Sequence, residues 1–168
     1  MYEFISIIGG NIMSRYGMND IKMSQLAYSS KQSDRMKAAR WGYGLDKLVD
    51  DKSIAVRILV AKQRYGLDKL VKDENELVRA EVARQKYALK ELMFDDSPMV
   101  RMAVAAQDFA LDYFAREDED KEVREYAKYK LREKNRKEKT MGDEVLNNEE
   151  KYNFKTSNDN EEKSRNSR

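Results

Sequence analysis

Four arginines stand at a near-constant interval in this chain, Arg57, Arg79, Arg101 and Arg124, each directly after a valine. One cation per interval is what a protein needs to follow a phosphate backbone. Acids six residues ahead of the first three, Asp51, Asp73 and Asp95, suggest instead that the arginines tie successive turns of the chain together within and between units. A second basic column, Arg40, Lys62 and Arg84, is flanked by Arg64 and Lys86, has no acid in matching positions, and fades at Ala106 and Asp108. It reads as a binding strip on the early and middle units, and equally as a solvated helix face. Met99 and Met102 offer adaptable apolar contact beside it. Tyr43, Tyr65, Tyr87 and Phe109 form an aromatic column able to stack bases or clasp an extended peptide, but core packing is its first expectation.

Catalysis finds little to work with. The chain holds no His and no Cys, which removes the usual general base, thiolate nucleophiles, disulfides and the commonest metal ligands. The adjacent acids Asp50-Asp51 and Asp95-Asp96 resemble a catalytic pair, yet each stands just ahead of a helix start, where negative charge suits the helix dipole. No catalytic residue, metal or cofactor is expected. The 33 Lys and Arg against 31 Asp and Glu give a net charge of +2, so only local patterning speaks to partners.

The elements that carry these columns recur every 22 residues: Tyr43-Gly-Leu-Asp-Lys-Leu-Val-Asp-Asp, Tyr65-Gly-Leu-Asp-Lys-Leu-Val-Lys-Asp, Tyr87-Ala-Leu-Lys-Glu-Leu-Met-Phe-Asp and Phe109-Ala-Leu-Asp-Tyr-Phe-Ala-Arg-Glu, with a one-residue slip before the last valine and arginine. A fixed period in this range marks a stacked array. Each unit predicts a longer helix of about 11 residues opening at Ser53, Asn75, Ser97 or Asp120, with Pro98 at a first helical position. Its buried stripe is Val56, Val60 and Ala61, then Val78, Val82 and Ala83, then Val100, Val104 and Ala105. A shorter helix follows the aromatic residue, with Leu45, Leu48 and Val49 and their equivalents facing inward. Gln63, Gln85 and Gln107 fall near the long helix's end, where an amide can satisfy free carbonyls.

The pattern Leu-x-x-Leu-Val-x-Asp-x-x-x-x-Val-Arg-x-x-Val-Ala, from Leu67 to Ala83 and nearly so from Leu45 to Ala61, resembles the leucine-rich repeat variant family, a relative of HEAT-like repeats. The chain lacks that family's Asn-Pro-x-Thr-Pro-like connection and has a slightly shorter unit. The resemblance implies a short right-handed α-solenoid in which a long helix alternates with a short α or 3₁₀ helix. A solenoid of this size, with helices 9–10 Å apart, would run for roughly 40 Å, room for about 12 residues of extended peptide. The expected function is that of a non-enzymatic protein-binding scaffold or adaptor taking an acidic or extended segment on one face. The alternative is a nucleic-acid module using the same strip and the basic stretch from Lys121, where residues 121–139 hold nine Lys or Arg against four Glu.

The organisation expected is a degenerate capping region over residues 1–33, repeats over 34–131, a basic helical extension over 132–139 and a disordered, polar tail over 140–168. The first repeat is weak, with Asp34 in the valine column and Arg35 in the arginine column. The opening Met1-Tyr-Glu-Phe-Ile-Ser-Ile-Ile carries an acid where an export signal has a basic segment and is too short to cross a bilayer. A soluble, cytoplasmic protein with no membrane partner is the expectation.

Overall fold

Ten helices joined by short turns make up the computed structural model, which describes residues 17–140, and no strand occurs among them. Five are long or moderately long: α1 (Gly17–Leu26), α2 (Gln32–Arg40), α4 (Ile54–Lys62), α6 (Glu76–Arg84) and α8 (Pro98–Ala105). Between them lie one-turn helices α3 (Leu45–Leu48), α5 (Leu67–Leu70) and α7 (Leu89–Leu92), then α9 (Leu111–Glu117). The last, α10, spans residues 121–140. The apolar run in Met1–Ile8 and the tail beyond residue 140 lie outside the described residues.

The long helices form where the valine stripe demands burial. Val56, Val60, Ala61, Val78, Val82, Ala83, Val100, Val104 and Ala105 are all inaccessible to solvent. Burying one Val is worth about 1.5–3 kcal/mol, so the stripe dominates the local energetics. Three of the four predicted long helices are shorter than the spacing suggests, nine residues in α4 and α6 and eight in α8, whereas α10, which opens after Asp120, runs on to residue 140. In the shorter ones a tight C-terminal turn takes up the rest. Tyr43 N–H donates to the Ala38 carbonyl at 3.0 Å and Tyr87 N–H to Val82 at 3.3 Å, six-residue closures that end a helix through a left-handed residue. Arg64, Lys86 and Asp108 hold that position, with φ of 58°, 60° and 59°.

Two residues later the backbone turns left-handed again, at Gly44, Gly66, Ala88 and Ala110, and the short helix begins. Gly44 is required twice over: its φ is 62°, and a Cβ there would stand 2.4 Å from Ala27 Cβ. The short helices are α rather than 3₁₀, four residues in α3, α5 and α7 and seven in α9, and Leu48, Leu70, Leu92 and Phe114 from them are buried.

Successive long helices lie against one another, α1 on α2, α2 on α4, α4 on α6 and α6 on α8. The last four run parallel. Arg57 near the start of α4 bonds Asp73 just ahead of α6, while Gln63 after the end of α4 donates to the Arg40 carbonyl at the end of α2. From α2 onward starts meet starts and ends meet ends, so the turns that precede these helices lie along one edge and the turns that follow them along the other. One continuous apolar core threads the stack from Ala27 to Ala127. α2 begins at Gln32, two residues ahead of the boundary the sequence suggests, and α10 runs from residue 121 through the basic extension without a break. None of the described helices is long and apolar enough to cross a membrane.

Candidate functional site

The arginine column is a ladder of buried, fully engaged ion pairs. Arg35 Nε and Nη2 donate to the two carboxylate oxygens of Asp51 at 2.5 and 3.1 Å. Arg57 does the same to Asp73 at 2.7 and 2.9 Å, Arg79 to Asp95 at 2.7 and 2.9 Å, and Arg101 to Asp118 at 2.9 and 3.0 Å. The third guanidinium nitrogen turns back to the arginine's own loop: Arg57 Nη1 donates to the Asp51 carbonyl at 2.8 Å, Arg79 Nη1 to Asp73 at 2.8 Å and Arg101 Nη1 to Asp95 at 2.8 Å. Each arginine therefore clips the loop before its own helix to the loop before the next one. The acid six residues ahead supplies a backbone carbonyl, and the carboxylate comes from the acid 16 or 17 residues behind. Arg124 bonds the Asp118 and Glu119 carbonyls in the same way, but makes no ion pair among the described residues.

The carboxylates are shared. Asp51, Asp73, Asp95 and Asp118 each also accept the N–H two residues on, from Ser53, Asn75, Ser97 and Asp120, at 2.8–2.9 Å. These side chains do much of the work expected of the helix caps: Asn75 and Asp120 accept helix N–H groups, but Ser53 and Ser97 make no such bond. Burial pushes the Asp51 and Asp95 carboxyls up, yet the guanidinium of Arg35 or Arg79 together with the serine N–H outweighs it, and both end below the ordinary carboxylate value. The hydrogen bonds that the four arginines donate to Asp51, Asp73, Asp95 and Asp118 hold them above theirs. Arg57 and Arg101 have side-chain exposures of 9% and 7%, so a phosphate backbone cannot reach them.

The opposite edge is open. Arg40, Lys62 and Arg84 are the last residues of α2, α4 and α6, and Arg64 and Lys86 occupy the left-handed turns after them; all five are exposed. Among the described residues Arg40, Lys62, Arg64 and Lys86 make no ion pair. Arg84 departs from the sequence expectation of an acid-free column: its Nη1 lies 3.4 Å from the buried Glu81, one turn back. The structure does not bring the methionines to these cations. Met99 is exposed on the first turn of α8, at the other edge, and Met102 is half-buried against the core.

Tyr65 and Tyr87 overturn the core assignment of the aromatic column. Each sits between two left-handed residues on the open edge and stays 42% and 39% exposed. Tyr43 and Phe109 are the half-buried members, and Tyr43 donates its hydroxyl to Asp20 on α1, which holds the phenol above its ordinary pKa. Gln63 Nε2 donates to the Arg40 carbonyl at 2.9 Å as the column predicts, but Gln85 turns to Glu81 of its own helix at 2.8 Å. In the last unit Lys130 takes over, reaching the Ala106 carbonyl at 3.4 Å and the Asp108 carboxylate at 2.8 Å.

Two aromatic residues that the column analysis passed over complete the surface. Phe94 and Tyr113 are 66% and 40% exposed and meet edge to face, 5.8 Å apart, on the ladder edge. Their columns are otherwise charged, Asp50 and Lys72 for the first and Lys47, Lys69 and Glu91 for the second, and that break was the available signal. At the other end of the stack a cleft of about 550 Å³ lies between α1 and α2, lined by Met23, Leu26, Trp41 and Tyr43 among others. No protein-family model, curated protein or solved structure matches the chain.

Proposed function

We propose that the chain is a short right-handed α-solenoid of 22-residue repeats, of the leucine-rich repeat variant and HEAT-like kind, that serves without catalysis as a scaffold for an acidic, extended segment of a protein partner. The observation that supports this is the division of charge between the two edges. The arginines on the ladder edge are consumed by Asp51, Asp73, Asp95 and Asp118, whereas Arg40, Lys62, Arg64 and Lys86 project unpaired from the other edge with Tyr65 and Tyr87 among them. Parallel helices place these cations at a regular pitch of about 9–10 Å, and solvated cations beside exposed rings attract and then seat an acidic strand.

The test is a pulldown from native lysate with the full chain and with a Lys62→Glu, Arg84→Glu variant, with and without nuclease and at two salt concentrations. Recovery of a discrete protein that survives nuclease and is lost with the variant is the expected result. Unchanged recovery by the variant refutes the strip. Recovery that nuclease abolishes points to the second reading, nucleic-acid binding on the same strip, which the exposure of Tyr65 and Tyr87 between cations favours because bases stack on such rings.

A further inference from the structure

On the ladder edge, the Phe94 and Tyr113 pair occupies the place where an ion pair stands elsewhere. Lys69 and Asp50 are 19 residues apart and meet at 2.5 Å; Tyr113 and Phe94, also 19 apart and in the same two columns, meet as rings. A solvated ion pair has been exchanged for two exposed rings, an unfavourable trade for an isolated surface. Around the rings lies a cavity of about 230 Å³ lined by Met93, Asp96, Arg101, Glu117, Asp118 and Glu119, among others. Asp118 is committed to Arg101, and Glu119 approaches it only at 3.3 Å from an 83% exposed side chain. Asp96 and Glu117 make no ion pair among the described residues and are exposed. An aromatic floor whose rim carries two carboxylates without an ion pair, Asp96 and Glu117, beside the loosely held Glu119, complements one chemistry, a long cationic side chain whose stem lies on the rings and whose head meets the acids.

We infer that this cavity is a docking site for a basic peptide segment, receiving an arginine or lysine side chain over Phe94 and Tyr113 with Asp96, Glu117 and Glu119 around its charge. The site is on the edge opposite the cationic strip and stands independently of the reading proposed for that strip.

The experiment is fluorescence anisotropy of a labelled nona-arginine peptide titrated with the full chain, at low and moderate salt. A double variant, Phe94→Asp with Tyr113→Lys, restores the ion pair found at Asp50 and Lys69 without changing net charge, and its helicity and melting are checked by circular dichroism. The expected result is a native-like melt and at least about a tenfold weaker peptide affinity. Phe94→Leu keeps the apolar surface and every acid and removes only the ring, for an expected loss of about threefold to fivefold. Lys62→Glu with Arg84→Glu leaves the site intact and does not weaken the peptide. Equal affinity of the ion-pair variant and the native chain overturns the inference. So does full affinity in Phe94→Leu, which would reduce the binding to diffuse attraction by acids. Concentration-dependent self-association of the native chain that the ion-pair variant abolishes assigns the cavity to a second copy and overturns it as well.

Discussion

Replacing Arg101 by alanine tests whether the ladder holds the stack together. Its side chain is 7% exposed and that of Asp118 2%, so this pair is the most deeply buried of the four. The substitution removes two bonds to the carboxylate, at 2.9 and 3.0 Å, and those to the Asp95 and Asp96 carbonyls, at 2.8 and 3.2 Å. Asp118 is then left with the Asp120 N–H as its remaining partner. A buried carboxylate stripped of its cation costs about 3–5 kcal/mol, which is comparable with half the stability of an ordinary domain. With a urea slope of about 1–3 kcal/mol per molar, the midpoint falls by roughly 2 M, read by far-UV circular dichroism. Arg101→Met combined with Asp118→Leu removes both charges, and is expected to be more stable than Arg101→Ala alone, a coupling of about 2 kcal/mol or more. Arg116→Ala is the control, since its contact with Asp112 is 3.7 Å long with both side chains over 70% exposed, and exposed pairs contribute about 0–1 kcal/mol. If Arg101→Ala cost no more than this control, or if the double variant lost the sum of the two single ones, the ladder would not be what joins the units.

The chain has no His, so its urea midpoint is expected to be level from about pH 5 to about pH 9. Asp51 and Asp95 titrate below their ordinary value, so their contribution is complete above about pH 4 and is lost as pH falls through the lowered folded values; Tyr43 and Lys130 are raised by Asp20 and Asp108, so theirs is complete below about pH 10 and is lost above it. A step in the midpoint near pH 6 would contradict this. Ala88→Gly and Ala110→Gly relieve left-handed alanines at φ of 50° and 53°, and each is expected to raise stability by about 1 kcal/mol in thermal or urea melts. Gly66→Ala should do the reverse and by more, because its Cβ would meet Val49 Cγ2 at 2.7 Å in addition to the strained φ of 58°.

The helices and the core were legible because both obey a spacing. Val56, Val60 and Ala61 can share a side only on a helix, and the same three columns return in the next two units, all buried. The arginine column was legible as a tie within and between units, with its wiring left open. Asp51 and Asp73 occupy one column, so spacing alone cannot say which carboxylate Arg57 takes; the fold sends it forward to Asp73 and leaves Asp51 to offer a carbonyl. The tyrosines failed for a related reason, since a period of 22 fits a buried ring and an exposed one equally: all four rings sit between two left-handed residues, yet Tyr43 and Phe109 pack against the core while Tyr65 and Tyr87 stay exposed. Met99 was read onto the same surface as Lys62 and Arg84. A position on the first turn of α8 and positions on the last turns of α4 and α6 belong to opposite edges, which no count along the chain reveals until the helices are known to run parallel.

The slip in the last unit shows which feature of the pattern the fold is built to keep. Three arginines reach an acid 16 residues on, and Arg101 reaches one 17 on, with bonds of nearly the same length. The extra residue falls between them, and α9 absorbs it by running for seven residues where its counterparts run for four. Asp118 thereby arrives beside Arg101 and still accepts the N–H of Asp120, as its counterparts accept theirs. An insertion in a loop costs little entropy by itself, but a buried guanidinium left without its carboxylate costs several kcal/mol. The connection therefore lengthens and the ion pair does not. Tyr113, still in the register of Lys69, and Glu117, within the lengthened stretch, lie on the surface beside Phe94, so the unit that departs from the period is also the one whose rings line a cavity.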